Sequence, residues 1–330
     1  MSKPKNDPGE FEVIKNILSP LAAAMPGSLG LTDDAALLDL QAGEQLVLTK
    51  DAMVAGVHFF ANDPPEYIAK KLLRTNLSDL AAMGAKPLGY LLATAWTDAC
   101  DEQWIKNFAN GLKEDQELFQ IGLLGGDTVK TTGPLTLSLT ALGTVKIGKA
   151  LRRNGAKVGD LLYVSGTLGD SALGLQSLLG QLPPVQQDHT EYLQNRYYLP
   201  QPRLNLAQSL VDLATSCLDI SDGLLADMGH VCTQSNVGAI IHRNRIPLSK
   251  AASSLPEKGK EFWDSIVGGG DDYELAFTVP AAKKTQVENL AKDAGEIITH
   301  IGEMTLGDAP VFVDEIGQEI HLPKTGWTHF

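Results

Sequence analysis

Apolar strand patterns and amphipathic helix patterns alternate along almost the whole chain, and this alternation limits the choice of fold most strongly. Alternating apolar residues favour a strand, and apolar residues three or four positions apart favour a helix. The predicted strands are 45–49, 88–96, 135–145, 161–164, 217–220, 237–241, 273–279, 297–301 and 311–313. The predicted helices are 11–26, 63–84, 101–119, one after the glycine loop 165–171, one that begins at Asp222, and 281–294. Because both element types interleave in both halves, the sequence predicts an α/β (α+β) fold.

The segment 148–160 interrupts this pattern with basic residues, an asparagine and glycines, which include Arg152, Arg153 and Gly155. A chain of 330 residues is long enough for two domains, since one domain takes about 100–200 residues. The sequence therefore predicts an N-terminal domain over 1–149 and a C-terminal domain over 150–330.

The chain is acidic, with 27 Lys and Arg against 40 Asp and Glu and a net charge of −13. Without an excess of cations to displace counterions from phosphates, non-specific binding to nucleic acid is disfavoured. The same charge opposes any phosphorylated substrate unless the acids carry divalent metal ions.

No basic segment followed by an apolar one starts the chain, and no apolar run approaches the length of a membrane span. The cysteines are Cys100, Cys217 and Cys232, which are odd in number and far apart. A disulfide framework is therefore not expected. We expect the protein to lie in a reducing cytoplasm and not to associate with a membrane.

Six short segments place an Asp beside Gly, Ser, Thr or another acid, near the predicted ends of strands or helices. They are Thr32-Asp33-Asp34, Thr49-Lys50-Asp51, Asn76-Leu77-Ser78-Asp79, Gly125-Gly126-Asp127-Thr128, Asp219-Ile220-Ser221-Asp222-Gly223 and Gly269-Gly270-Asp271-Asp272-Tyr273-Glu274. A single such Asp is ordinarily a cap or a turn residue. Six of them together favour sites for Mg²⁺, a hard cation that binds carboxylate and hydroxyl oxygens.

Glycines add two further candidates for phosphate binding. Gly125 and Gly126 let the backbone approach a phosphate closely. The loop 165–171 lies between a strand and a helix, where it either holds an anion on its N–H groups or is simply a tight turn. No P-loop and no protein-kinase motif is present, so any nucleotide site belongs to another class. His58 can contact a substrate or pack in a core, and Arg153 can pair with a phosphate or lie in a solvated linker.

Taken in order, these segments resemble the thiamine-monophosphate kinase family, which is related to aminoimidazole ribonucleotide synthetase and selenophosphate synthetase. The likeness extends over nearly the whole chain. Its most specific parts are Asn76-Leu77-Ser78-Asp79-Leu80-Ala81-Ala82-Met83-Gly84 and Asp219-Ile220-Ser221-Asp222-Gly223-Leu224. Its other parts are 9–11, 33–34, 55–59, 125–128, 164–171 and 269–275.

The resemblance implies phosphorylation of thiamine monophosphate by ATP with several Mg²⁺ ions and no phosphoenzyme. It also implies two α/β domains. The N-terminal domain would bind ATP and Mg²⁺, and its sheet would pair with that of a second copy to form a β-barrel in a homodimer. The C-terminal domain would have a mixed sheet and flanking helices. The implied metal ligands are Asp34, Thr49, Lys50, Asp51, Asp79, Asp127, Asp219 and Asp222. Asp34, Asp127 and Asp222 are the implied catalytic residues. The implied nucleotide contacts are Gly126, Asp127, Arg153 and Ser221, and the implied substrate contacts are His58, Asp271 and Trp327.

Three positions depart from the family pattern. Thr32 stands in place of a glycine, and Asp271 is one methylene shorter than the usual glutamate. Lys50 replaces a residue that can give a hydroxyl ligand, although its main-chain carbonyl can still bind a metal. Two other functions remain open: another ATP-dependent synthetase of the superfamily, or a non-catalytic protein that binds Mg-nucleotide. Selenophosphate synthetases use a reactive cysteine or selenocysteine close to the N-terminus, whereas the first cysteine of this chain is Cys100. That function is therefore disfavoured.

Overall fold

The computed structural model describes residues 9–256, 259–323 and 326. The chain forms two units, one from residues up to Leu80 together with Lys86–Ile147, and the other from Ala81–Ala85 together with residues from Gly148 onward. Each unit has its own mixed α/β structure, as the sequence predicted. No helix in the described ranges is long and apolar enough to cross a membrane.

The first unit is built on a four-stranded sheet with the order β1-β4-β2-β3. Its strands are β1 (Glu44–Val54), β2 (Lys86–Trp96), β3 (Leu123–Lys130) and β4 (Thr136–Lys146). Its helices are α1 (Glu10–Val13), α2 (Pro65–Ala82, which ends in the second unit) and α3 (Glu102–Phe119). Strand β4 is antiparallel to β1 and β2, and β2 is parallel to β3.

The two faces of this sheet differ sharply. On the helix face, the Tyr90 hydroxyl lies 2.7 Å from the Gln116 amide of α3, and Trp96 packs edge-on against Phe108. On the other face, Leu48, Leu91 and Val129 are 61%, 40% and 50% exposed. We call this second side the open face. Outside the register shifts at Pro87–Gly89 and Tyr90–Leu91, side chains alternate between the two faces along each strand.

The predicted helix from Phe11 is broken into short pieces. Helix α1 runs directly into a π-helical turn at Ile14–Leu18 and then a 3-10 turn at Ser19–Ala22. Pro20 has no amide hydrogen to donate within an α-helix, which disfavours an α-helix through the 3-10 turn. The prediction of a single helix from Phe11 was wrong, since the α-helical pattern already changes to a π-helical turn at Ile14.

The second unit is built on a six-stranded sheet with the order β10-β7-β9-β5-β8-β6. Its strands are β5 (Asp160–Ser165), β6 (Ser216–Asp219), β7 (Gly238–His242), β8 (Leu275–Pro280), β9 (Ile298–Thr305) and β10 (Pro310–Val313). Its helices are α4 (Asp170–Leu178), α5 (Gln187–Tyr198), α6 (Leu204–Leu210), α7 (Leu224–Ser235), α8 (Lys250–Ser253), α9 (Lys260–Gly268) and α10 (Lys284–Asp293). Residues of β5, β6, α7 and α9, among them Val164, Leu218, Met228 and Ile266, share one buried apolar core.

Candidate active site

Strand β1 and helix α2 bring three of the predicted metal ligands together in the first unit. Thr49 donates a hydrogen bond to Asp79 at 2.5 Å, and the Thr75 side chain of α2 lies next to the Asp51 carboxylate. Residues two apart on a strand are about 6.7 Å apart, and residues four apart on a helix advance by about 6 Å. The matching spacings let both pairs form at once, so Thr49, Asp51 and Asp79 gather on the helix face.

Burial raises the pKa of Asp51 from its ordinary value, while the Thr75 hydroxyl acts in the opposite direction. Desolvation disfavours the charged carboxylate, and a nearby cation restores it. A cation bound beside Asp51 would therefore favour the charged form of this carboxylate.

Lys50 lies on the open face, opposite its neighbours Thr49 and Asp51. Its ammonium group donates to Ser138 at 2.8 Å on the adjacent strand β4. The side chain is therefore directed away from the helix-face acids, and only the main chain of Lys50 can serve as a ligand beside them.

Gly126 and Asp127 lie within strand β3, although the sequence predicted a glycine-containing loop at this position. Asp127 is paired in register with Ala93, on the open face of the sheet. Asp51 projects from the helix face of β1, three strands away at about 4.8 Å per strand. The sheet of one chain therefore does not bring Asp127 to Asp51 and Asp79. The Asp127 carboxylate accepts the N–H of Thr128 at 2.9 Å.

Gly126 is needed for strand pairing itself. A Cβ at this position would lie 1.8 Å from the carbonyl oxygen of Leu92 on β2, whereas a Cβ on Gly125 would make ordinary contact with Leu91 at 3.5 Å. We predicted from the sequence that a phosphate approaches the backbone at Gly126. In the structure, the neighbouring strand β2 makes this close approach.

Asp34 lies in an exposed loop after the 3-10 segment Pro26–Leu31, and its N–H donates to Asp33 at 2.9 Å. Thr32, which stands in place of a family glycine, has an ordinary φ of −113° and donates to the Leu29 carbonyl at 2.8 Å. This backbone therefore accommodates a threonine at position 32 without strain.

His58 lies just after β1, in a short loop closed by a bridge between Ala55 and Phe59. The N–H of Val54 donates to Nδ1 of His58 at 3.0 Å, so this nitrogen carries no proton and the neutral ring is protonated at Nε2. Lys71 donates to the His58 carbonyl at 3.3 Å and ties the loop to α2.

In the second unit, the predicted ligands Asp219 and Asp222 flank the turn between β6 and α7. Asp219 ends β6 and is buried, and Ser221 and Asp222 are half-buried. The N–H groups of Ser221, Asp222 and Gly223 all donate to one carboxylate oxygen of Asp227, each at 3.1 Å. We call residues 221–223 the acidic turn. Burial raises the pKa of Asp227 to about 7, against the lowering effect of these N–H donors.

The loop 269–274 is hydrogen-bonded along the acidic turn. The N–H of Asp271 donates to the Ser221 carbonyl at 2.9 Å, and that of Tyr273 donates to Ile220 at 2.8 Å. Asp271 and Tyr273 have φ values of 69° and 51°, which cost energy for residues with a side chain. The structure thus brings the loop of the predicted substrate contact Asp271 to the turn that carries Asp222.

The other two acids of this loop are structural. Asp272 is buried and accepts the N–H of Gly169 at 2.7 Å, at the N-terminus of α4. Burial raises the pKa of Asp272 well above its usual value. Glu274 is fully buried and accepts hydrogen bonds from Arg196 at 2.9 Å and from Arg203 at 2.6 Å.

Asp272 also decides between the two interpretations of the glycine loop 165–171. The Asp272 side chain already accepts the hydrogen bond from the N–H of Gly169, and the N–H of Leu168 donates to the Pro247 carbonyl. The loop is therefore a tight turn, and the protein's own carboxyl group from Asp272 fills the position at the N-terminus of α4.

Arg153 and Trp327 complete the predicted set. Arg153 is exposed, next to Arg152, whose carbonyl accepts the N–H of Cys217 on β6. Trp327 lies outside the described residues. Within residues 9–256, 259–323 and 326, no three His, Cys, Asp or Glu side chains are grouped closely enough to hold a metal ion. The oxygen donors do match the ligand chemistry of Mg²⁺, as carboxylates and a hydroxyl.

Sequence reasoning missed Asp227 and did not distinguish Asp272 and Glu274 from Asp271. One signal for Asp227 was present, because an acid in the first turn of a helix commonly accepts the exposed N–H groups there. The roles of Asp272 and Glu274 depend on Gly169, Arg196 and Arg203, which are distant in sequence.

Comparison with known proteins gives the class of this chain. Residues 32–145 match the N-terminal domain of the AIR synthase related proteins, and residues 157–315 match the C-terminal domain. The chain therefore shares the two-domain fold of that class.

The relatives narrow the class further. Thiamine-monophosphate kinase of Caulobacter vibrioides is 42% identical over 325 residues, which cover 98% of this chain and 91% of the relative. The crystal structure of thiamine-monophosphate kinase from Stenotrophomonas maltophilia K279a is 38% identical in sequence, with a TM-score of 0.84. The match covers 94% of this chain and 98% of the chain in that structure. A structure of AaThiL complexed with AMPPCP and TMP is 29% identical, with a TM-score of 0.77 and coverage of 98% and 97%. The chain belongs to the thiamine-monophosphate kinase family.

We expect Gly126→Ala to lower the free energy of unfolding by about 1–3 kcal/mol, because the new Cβ overlaps the Leu92 carbonyl. Gly125→Ala is the matched control and should stay within about 0.5 kcal/mol of the natural protein. Urea denaturation of the three proteins measures both effects. Equal stability of the two variants would contradict the assigned reason for Gly126.

Proposed function

We propose that this protein transfers the γ-phosphoryl group of ATP to the phosphate of thiamine monophosphate, giving thiamine diphosphate and ADP. The observation that carries this proposal is the likeness over 98% of the chain to a relative named thiamine-monophosphate kinase. The complex of AaThiL with AMPPCP and TMP supports the same pair of substrates.

The reaction forms a bond between an oxygen of the acceptor phosphate and the γ-phosphorus, and it breaks the bond from that phosphorus to the bridging oxygen of ADP. The acceptor phosphate has a second pKa of about 6 and is largely ionised near pH 7, so it needs no strong general base. The protein must instead hold two polyanions in line.

The acids are proposed to hold Mg²⁺, which supplies the positive charge that neutralises the phosphates when it is bound. The proposed ligands are Asp34, Thr49, the main chain of Lys50, Asp51, Asp79, Asp127, Asp219 and Asp222. The hydrogen bond from Thr49 to Asp79 and the position of Asp51 beside Thr75 support this set, since they place three oxygen ligands on the helix face. Asp34, Asp127 and Asp222 are proposed to be catalytic.

The remaining predicted residues are proposed to contact the substrates. Gly126, Asp127, Arg153 and Ser221 are assigned to the nucleotide, and His58, Asp271 and Trp327 to thiamine monophosphate. A negative Asp271 suits the cationic thiamine portion, and Trp327 suits stacking on a flat heterocycle. The predicted domain 1–149 would provide ATP and Mg²⁺ binding together with dimerisation.

The open face supports a homodimer. Leu48, Leu91 and Val129 expose apolar surface on one side of the sheet, and burying such a surface is favourable. A second copy of the same face would cover these residues. Because Asp127 lies on the open face as well, the dimer would bring the second copy close to this proposed ligand.

Asp127→Asn should abolish formation of thiamine diphosphate from thiamine monophosphate, ATP and Mg²⁺, measured by ³¹P NMR. Its free energy of unfolding should change by no more than about 0.5 kcal/mol, since the residue is exposed. Asp98→Asn, at another exposed acid of the same unit, should keep its activity. Near-normal turnover by Asp127→Asn at saturating Mg²⁺ would rule out the role given to Asp127.

Leu48→Lys should convert the dimer into a monomer, because it places a charge in the covered part of the open face. Light scattering after size exclusion should show a fall from twice the chain mass to 35.3 kDa. Leu118→Lys on α3 is the control, since Leu118 is equally exposed, at 63%, but lies away from the open face. A Leu48→Lys protein that keeps the mass of the natural one would refute this interface.

A further inference from the structure

The acidic turn is held by a single buried oxygen. Oδ2 of Asp227 accepts the N–H groups of Ser221, Asp222 and Gly223, and the residue is only 2% exposed. Three consecutive N–H groups can point at one oxygen only when the backbone between them is tightly curved. Asp227 therefore fixes the shape of the turn from inside the protein.

The opposite side of the turn is held by the loop 269–274. The Ser221 carbonyl accepts the N–H of Asp271 at 2.9 Å, and a Cβ on Gly270 would lie 2.4 Å from the same carbonyl oxygen. A Cβ on Gly223 would lie 2.9 Å from the Gly268 carbonyl carbon. The turn thus has little room to move in either direction.

The N–H groups of Ser221, Asp222 and Gly223 precede α7, at the helix end where a phosphate often binds. Asp227 takes up this position, so the three N–H groups are not available to a second anion. The turn can then act on a ligand chiefly through its side chains, which are the Ser221 hydroxyl and the half-buried Asp222 carboxylate.

We propose that Asp227 is a positioning residue that holds Ser221 and Asp222 in the orientation needed to bind Mg-nucleotide. It is not itself a ligand, because it is buried and its Oδ2 is occupied by three N–H groups. This inference rests on the proposed function, in which Asp222 is a metal ligand. A residue that orients a ligand in this way typically changes metal affinity or activity by about 10- to 100-fold when it is removed.

The test compares Asp227→Ala, Asp227→Asn, Asp222→Asn and Asp170→Asn with the natural protein. Asp170 is the matched control, since it is also a buried acid of the second unit but is bonded to Ser249 and Thr167 instead of the turn. Three quantities are measured: thermal stability, Mn²⁺ binding from the EPR signal of the free ion, and the Mg²⁺ concentration for half-maximal formation of thiamine diphosphate.

Asp227→Ala should weaken Mn²⁺ binding and raise the half-saturating Mg²⁺ concentration by about 10-fold or more. Asp170→Asn should lose stability and keep both metal properties. Asp227→Asn keeps an oxygen that accepts N–H bonds, so its metal properties should fall between those of the natural protein and Asp227→Ala.

Wild-type metal properties in Asp227→Ala, or unchanged ones in Asp222→Asn, would overturn the inference. A defect in Asp227→Asn as large as in Asp227→Ala would also overturn it, because the accepted hydrogen bonds would then not matter. If Asp227→Ala does not fold, unchanged metal properties in Asp222→Asn overturn the inference by themselves, because the turn would then carry no metal ligand to position. Failure of the natural protein to form thiamine diphosphate would instead reject the proposed function, while the Mn²⁺ titration would still report on the turn.

Discussion

Buried carboxylates that accept backbone N–H groups set the geometry of the second unit. Asp227 curves the acidic turn, and Asp272 occupies the start of α4. Removing a carboxylate from water is costly unless donors surround it, so each of these acids is stable only with its own backbone arrangement. The resulting loops are stiff, and the half-buried Asp222 and Asp271 project from them.

This constraint has a consequence for the binding of phosphates. The N-termini of α4 and α7 are the natural anion sites beside the two glycine-containing loops, and the protein's own carboxylates fill both. Two phosphorylated substrates in a chain of net charge −13 then need another source of positive charge. Divalent ions on the proposed ligand acids would meet that need, so the acidic composition and the proposed chemistry agree.

Much of this was accessible from sequence. The interleaved patterns predicted two α/β units, and the strand and helix spacings of Thr49, Asp51 and Asp79 are local. Strand β3 was not predicted, because Gly125 and Gly126 mask the strand pattern that their pairing with β2 requires. The sequence could not separate the structural acids of loop 269–274 from the proposed substrate contact, since one short motif contains the half-buried Asp271 and the buried Asp272 and Glu274. Only distant partners such as Arg203 reveal that difference.

We infer that phosphate binding depends on metal ions held by the acids, because the protein's own carboxyl groups already fill the N-termini of α4 and α7. Calorimetric titration of the natural protein with AMPPCP, first in excess Mg²⁺ and then in EDTA, tests this dependence. We expect measurable binding with Mg²⁺ and a loss of at least about 100-fold in EDTA, comparable to the upper range for a disrupted metal site. Equal affinity under both conditions would contradict it.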